Sequence, residues 1–175
     1  MTTHPANSAV LNSPTLSRIR RNHGLEHATL SMLSKRFPNQ ALAGYSYPGG
    51  FWLVGDVSTE TIQEAVEEAL GRLQNGEHEL AIHPGCGTNY LTTGVLAALG
   101  AGLAMLGAGK RWRDRLERLP LAFALATMGV IISQPLGRIL QEQVTTDGVP
   151  GALHVIEIMR YEQGGLVLNR IRTRG

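Results

Sequence analysis

The chain has 175 residues, enough to bury a substantial core, and its length favours one domain or one domain with an appendage. A net charge of +2, with basic residues that are nearly all arginine and scattered, argues against a nucleic-acid partner. The single cysteine, Cys86, excludes an intrachain disulfide and must be a free thiol, a metal ligand, a catalytic group or an ordinary buried residue.

Met1 to Asn12 carries neither a charged leader nor an apolar stretch, so residues 1–12 read as a polar, mobile lead-in and not as a cleaved secretion signal. Ser13 and Pro14 then make a helix start, with serine as cap and proline at the first helical position. Leu16, Ile19, His23, Glu26, His27, Leu30 and Leu33 fall on one stripe of this helix, and Arg18, Arg21 and Arg36 lie off it. Pro38 ends it.

Within that stripe His23, Gly24, Leu25, Glu26 and His27 spell H-x-x-E-H. Residues four apart share a helix face, so His23 and His27 can hold one metal ion with the Glu26 carboxylate beside them. This is the inverted order of the H-E-x-x-H zinc-protease motif. The chemistry asks for two imidazoles, a third ligand and a nearby general base, and either order supplies the imidazoles and the base. Two core histidines satisfied by a glutamate would need no metal, so a partner for the motif matters.

Ala41 to Tyr47 and Phe51 to Val57 read as a β-hairpin turning at Pro48, Gly49 and Gly50. Ser58 caps a second amphipathic helix that runs to about Asn75, with Gly76 closing it; Glu64, Glu67 and Glu68 belong to its solvated face. Glu79 to Ile82 reads as a short strand or extended entry to His83-Pro-Gly-Cys86-Gly-Thr-Asn89, where the glycines and proline make a tight loop able to aim a histidine and a cysteine at one point. His83 is the first choice for a third ligand and Cys86 the second, both matching the nitrogen and sulfur preferences of zinc. His4 and His78 have no supporting context, and His154 and Glu157 would point to opposite faces of a strand.

Tyr90 to Gly109 is an uncharged apolar run of roughly 30 Å as a helix, and Leu119 to Gly137 is a second. Lys110 to Arg118 separates them as a charged turn whose Trp112 suits a headgroup layer, and Gly94, Ala98 and Gly102 repeat at the spacing that lets membrane helices pack closely. Pro135 should kink the end of the second run. A two-helix transmembrane hairpin is therefore expected, with two buried helices of a soluble core as the competing reading. The five Lys and Arg of the turn would place it in the cytoplasm, whereas a folded N-terminal part without a leader would place that part there. The second argument weighs more. Leu153 to Tyr161 and Leu166 to Thr173, around Gln163, Gly164 and Gly165, read as a further hairpin.

The expected architecture is α+β: a metal-site domain over 13–89 of two amphipathic helices and β-hairpins, a transmembrane hairpin over 90–137, and a C-terminal β-hairpin over 138–175 packing on the α+β domain. The paired motifs HGLEHAT and HPGCGTN, followed at once by an apolar span, are similar to those of the YqhQ-like group of predicted metal-dependent bacterial membrane enzymes, whose HGxEHK-type motif precedes HPxCGT at the start of a transmembrane segment. The resemblance covers about Arg21 to Gly102 and implies a site of His23, Glu26, His27, His83 and Cys86. Ala28 and Gly85 stand where that group commonly has lysine and arginine.

The functional expectation is a zinc-dependent hydrolase in the cell membrane, crossing it more than once, with a cytoplasmic N-terminal domain and a peptide or membrane protein as substrate. His23, His27 and His83 would hold the metal and Glu26 would activate water. Cys86 as a fourth ligand would instead close the coordination sphere and make a noncatalytic, zinc-stapled membrane adaptor. A thiol-dependent activity at Cys86 is the third reading.

Overall fold

The computed structural model describes Leu11 and residues 13–175; the lead-in expected over 1–12, Leu11 apart, lies outside the described residues, as does His4. The chain divides into two compact units. One runs to His83 and resumes at Glu142–Gly175, and the other is the inserted segment Pro84–Gln141.

The first unit is α+β. Its helices are α1 (Pro14–Arg36) and α2 (Thr59–Gln74), and its strands are β1 (Ala43–Tyr47), β2 (Gly50–Val54), β3 (His154–Gln163) and β4 (Leu166–Arg174). The strands form one antiparallel four-stranded sheet in the order β1-β2-β4-β3. Phe51, Leu53 and Ile171 face the helices and join Leu25, Leu33, Ile62, Val66 and Leu73 in a single core. On the opposite sheet face the Arg170 guanidinium lies 5.4 Å from the ring centres of both Tyr47 and Trp52, an arrangement in which a cation packs on aromatic faces.

Both expected hairpins of this unit form. Pro48 and Gly49 turn the first, and Gly164 and Gly165, with φ of 59° and 79°, turn the second, a left-handed pair that only glycine adopts without strain. Ser58 Oγ accepts from the Thr61 N–H and caps α2 as expected, whereas Ser13 occupies the cap position of α1 without a side-chain capping bond. Arg36 on α1 pairs with Glu64 and Glu68 on the exposed face of α2, at 3.1 and 2.7 Å.

Two local expectations change. The segment expected as a strand at Glu79 to Ile82 is a 3-10 turn over His78–Ala81, closed by Leu80 N–H to Glu77 O and Ile82 N–H to Glu79 O and tied by the His78 ring to Gly148 O at 2.8 Å. The single buried stripe expected on α1 is also too narrow. Every residue from Gly24 to Leu30 is buried, because the sheet, α2, the 3-10 turn and the 145–150 segment enclose the helix from several sides. Arg20 and Arg21, half-buried, donate to carbonyls of Thr146 and Pro150, and Asp147 N–H donates to Arg20 O. Gly24 permits this approach: a Cβ there would stand 3.1 Å from the Asp147 carbonyl carbon.

The second unit is helical, with α3 (Gly87–Met105), α4 (Trp112–Glu117) and α5 (Leu119–Leu140). α3 and α5 pack antiparallel through Gly100 against Leu125 and Gly129 against Leu96, where an added Cβ would stand 2.7 Å from the facing carbonyl carbon in each case. A hydroxyl pair, Thr93 and Ser133 at 2.7 Å, lies one turn further along. Gly94, Ala98 and Gly102, expected to make the contact, are exposed instead. The stripe that packs is Thr93, Leu96, Gly100 and Ala104, because the hydroxyl pair and Gly129 fix the rotation of α3.

One helix, continuous from Leu119 to Thr145 with a closing π-turn at Gln141–Thr145, is long and apolar enough to cross a membrane. It carries Pro135 within its length. α3 ends at Met105, before Gly107, and its threonines and glycines dilute its apolar character. Among the described residues the structure thus supports one candidate span where the sequence reading expected a hairpin of two.

Candidate metal centre

α1 presents His23, Glu26 and His27 on adjacent turns, and the 3-10 turn leads into His83, which lies beside His27. The rings of His23 and His27 have centroids 4.3 Å apart, and His83 stands 5.7 Å from His27. A ring nitrogen of His23 and one of His27 lie within 4.8 Å of each other, close enough for one ion to bridge them.

Both motif imidazoles are oriented through the main chain. Nδ1 of His27 lies 2.7 Å from Ala81 O, and Nδ1 of His23 lies 2.9 Å from Thr145 O. A carbonyl only accepts, so each Nδ1 carries a proton and donates it, and in the neutral ring the lone pair then lies on Nε2. This is the tautomer and the outer hydrogen bond typical of metal-ligating histidines. The donor set therefore fits a zinc ion.

Glu26 is 3% exposed and accepts a hydrogen bond from the Ser46 hydroxyl of β1. Burial raises its carboxyl above the usual glutamate range, against the opposing effects of the Ser46 hydrogen bond and the charge of His23. Burial likewise pushes the His83 imidazole below its usual value, favouring the neutral, ligating form. Above Glu26 the sheet has no side chain to offer: a Cβ on Gly44 would stand 2.6 Å from the Glu26 Cδ. Gly44 thus leaves room for the carboxylate where the strand comes close to it.

The structure brings His23 and His27 together on α1, with Glu26 between them in sequence, and sets the His83 ring 5.7 Å from that of His27. Cys86 belongs to the second unit, three residues along the chain from His83, where it is the buried cap residue of α3. Glu64, Glu67 and Glu68 lie on the exposed face of α2. His154 is exposed on β3, and Glu157 pairs with Arg172 at 2.9 Å. Sequence reasoning missed Ser46, Gly44 and the carbonyls of Ala81 and Thr145. Only Gly44 left a signal, since a glycine inside a strand marks a bulge or a close neighbour.

A family described as a domain of unknown function, DUF6391, matches residues 18–158, a stretch that contains all five candidate site residues and most of both units. The chain belongs to the DUF6391 family. An uncharacterised protein of the cyanobacterium Picosynechococcus sp. (strain ATCC 27264 / PCC 7002 / PR-6) is 37% identical over 152 residues, covering 80% of this chain and 71% of that relative. No solved structure matches. In this DUF6391 member the motif glycine and the motif histidines have separate causes: Gly24 lets the 145–150 segment close on α1, and the histidines take the carbonyls that the enclosing segments present.

Proposed function

We propose that this protein is a membrane-associated, zinc-dependent hydrolase that cleaves peptide bonds. The observation that carries the reading is the pair of motif imidazoles, each anchored through Nδ1 to a main-chain carbonyl, beside a buried carboxylate on the same helix. His23, His27 and His83 hold the ion, which leaves the fourth coordination position to water; Cys86, three residues along the chain from His83, is the ligand whose addition would make the site structural instead. Zinc bound there supplies Lewis acidity, polarising a carbonyl and making water nucleophilic near neutral pH. Glu26 takes a proton as the water oxygen adds to the substrate carbonyl and returns it to the departing amine, so one water is consumed for each amide cleaved. Its raised affinity for protons suits both halves of that exchange. The resemblance of the paired motifs to those of the YqhQ-like group of predicted metal-dependent membrane enzymes supports the choice of site residues.

The coordination count separates this reading from a stapled adaptor. The enzyme expectation is one zinc per chain by elemental analysis of protein purified without chelator, and an absorption-edge spectrum showing three protein ligands with one oxygen donor from solvent. Four protein ligands would make the site structural, and the absence of stoichiometric transition metal would remove the metal altogether.

Membrane association rests on α3 and α5, which expose Leu91, Leu99, Leu103, Phe123, Ile131 and Ile132. An apolar surface of that extent is costly in water and suits lipid, and with it the two-span hairpin remains the proposed form of the insert. The full chain should stay in the membrane fraction through alkaline carbonate extraction, and release into the supernatant would count against it.

A further inference from the structure

The sheet has two edges, and the sequence treats them differently. β3, at one edge, carries Glu157, Arg160 and Glu162 and a register shift between Val155 and Glu157, the charges and irregularity by which proteins guard an exposed strand. β1, at the other, is Ala43-Gly-Tyr-Ser-Tyr47, with no charge, proline or bulge.

The register fixes which groups of β1 are open. Gly55 N–H donates to Val167 O and Thr173 N–H to Gly49 O, both at 3.0 Å, so the odd-numbered residues on the β2 side bond β4 and the even-numbered ones bond β1. In the pairs Ala43 with Val54, Tyr45 with Trp52 and Tyr47 with Gly50, the odd-numbered residues of β1 therefore use their main-chain groups on β2. Gly44 and Ser46 point theirs outward, and those two N–H and two C=O groups bond nothing among the described residues.

These are the same two residues that face Glu26. Ser46 donates its hydroxyl to the carboxylate, and Gly44 leaves room for it. The unguarded edge and the proposed base thus share two residues of one strand.

We infer that the outer edge of β1 is a docking rail for an extended, unfolded polypeptide segment, which adds as a further strand on Gly44 and Ser46 and so brings its main-chain carbonyls beside Glu26. The inference deepens the hydrolase reading and rests on it for its chemical purpose. A strand added there lies about 4.8 Å from β1 and engages the rail at alternate residues. Affinity then comes from main-chain groups that every peptide has, and selectivity from whether a segment can become extended.

The test uses the full chain in detergent micelles, as the Glu26→Gln variant and as wild-type protein treated with chelator. The probes are acetylated and amidated decapeptides tiling unfolded β-casein. Bound decapeptide should slow amide exchange at Gly44 and Ser46 while leaving Tyr45 and Tyr47, already paired with β2, unchanged. Methylating the peptide nitrogens one at a time should weaken binding about tenfold at alternate positions, the equivalent of one lost hydrogen bond, and leave it unchanged between them. No decapeptide that slows both amides, no alternation in the methyl scan, or protection confined to another surface would overturn the rail. Stoichiometric zinc without protection at Gly44 and Ser46 removes the rail and leaves the hydrolase. Alternating protection in a chain that takes up no zinc keeps the rail and removes the hydrolase.

Discussion

Glu26→Gln lowers peptide hydrolysis by ~10²–10⁴-fold, the range lost with a positioned general base, while zinc content stays at the wild-type level. Glutamine keeps the shape of the side chain and can still accept from the Ser46 hydroxyl, so the packing under Gly44 is preserved. What it cannot do is take a proton. The raised proton affinity of Glu26 arises first from burial, and the amide carries no charge to desolvate, so the variant should fold at least as stably as the parent. Turnover assays alongside thermal unfolding and elemental analysis check the three parts together. Unchanged turnover with full zinc occupancy would remove Glu26 as the base, and loss of zinc would make it a ligand.

His27→Ala reduces bound zinc to less than about a tenth of the wild-type level, since even loss of an outer hydrogen bond to a ligand costs 10–100-fold in affinity. The imidazole is 2% exposed and donates to Ala81 O at 2.7 Å, so alanine leaves both a cavity and an unpaired buried carbonyl. Those defects cost on the order of 2–5 kcal/mol in the fold itself. His27→Gln separates the two effects, because its amide N–H₂ can still reach toward the Ala81 carbonyl while supplying a far poorer zinc ligand. If the ion binds the native state, chelator should lower the Tm of the wild-type chain and leave that of His27→Gln unmoved. Equal shifts in both proteins would show that His27 does not hold the metal.

The α1 boundaries, the cap at Ser58, both glycine turns and the apolar character of the insert were readable because each depends on neighbours within a few residues. The H-x-x-E-H spacing was readable for the same reason, since helix geometry alone puts the two histidines on one face. Where the reading departed from the structure, the deciding contact was distant in sequence. Glu79 to Ile82 lacks the alternation of a strand, and its 3-10 form is held by a bond from His78 to Gly148. Gly94, Ala98 and Gly102 have the right spacing for close packing, but the rotation that brings Gly100 to Leu125 is set by α5. Arg21 reads as lying off the apolar stripe, yet the 143–150 segment returns to take donors from it and from Arg20.

The site divides along the same line. The sequence by itself determined the candidate ligand types, their spacing on α1, the second His and Cys motif, and a long apolar stretch able to reach a membrane. Tertiary structure alone decided that Ala81 and Thr145 hold the imidazole tautomers, that Ser46 meets Glu26, and that the open edge of β1 runs past that carboxylate. These depend on backbone carbonyls and on strand order, which no side-chain pattern encodes. They exist only once segments 20, 54 and 122 residues away in sequence close around α1.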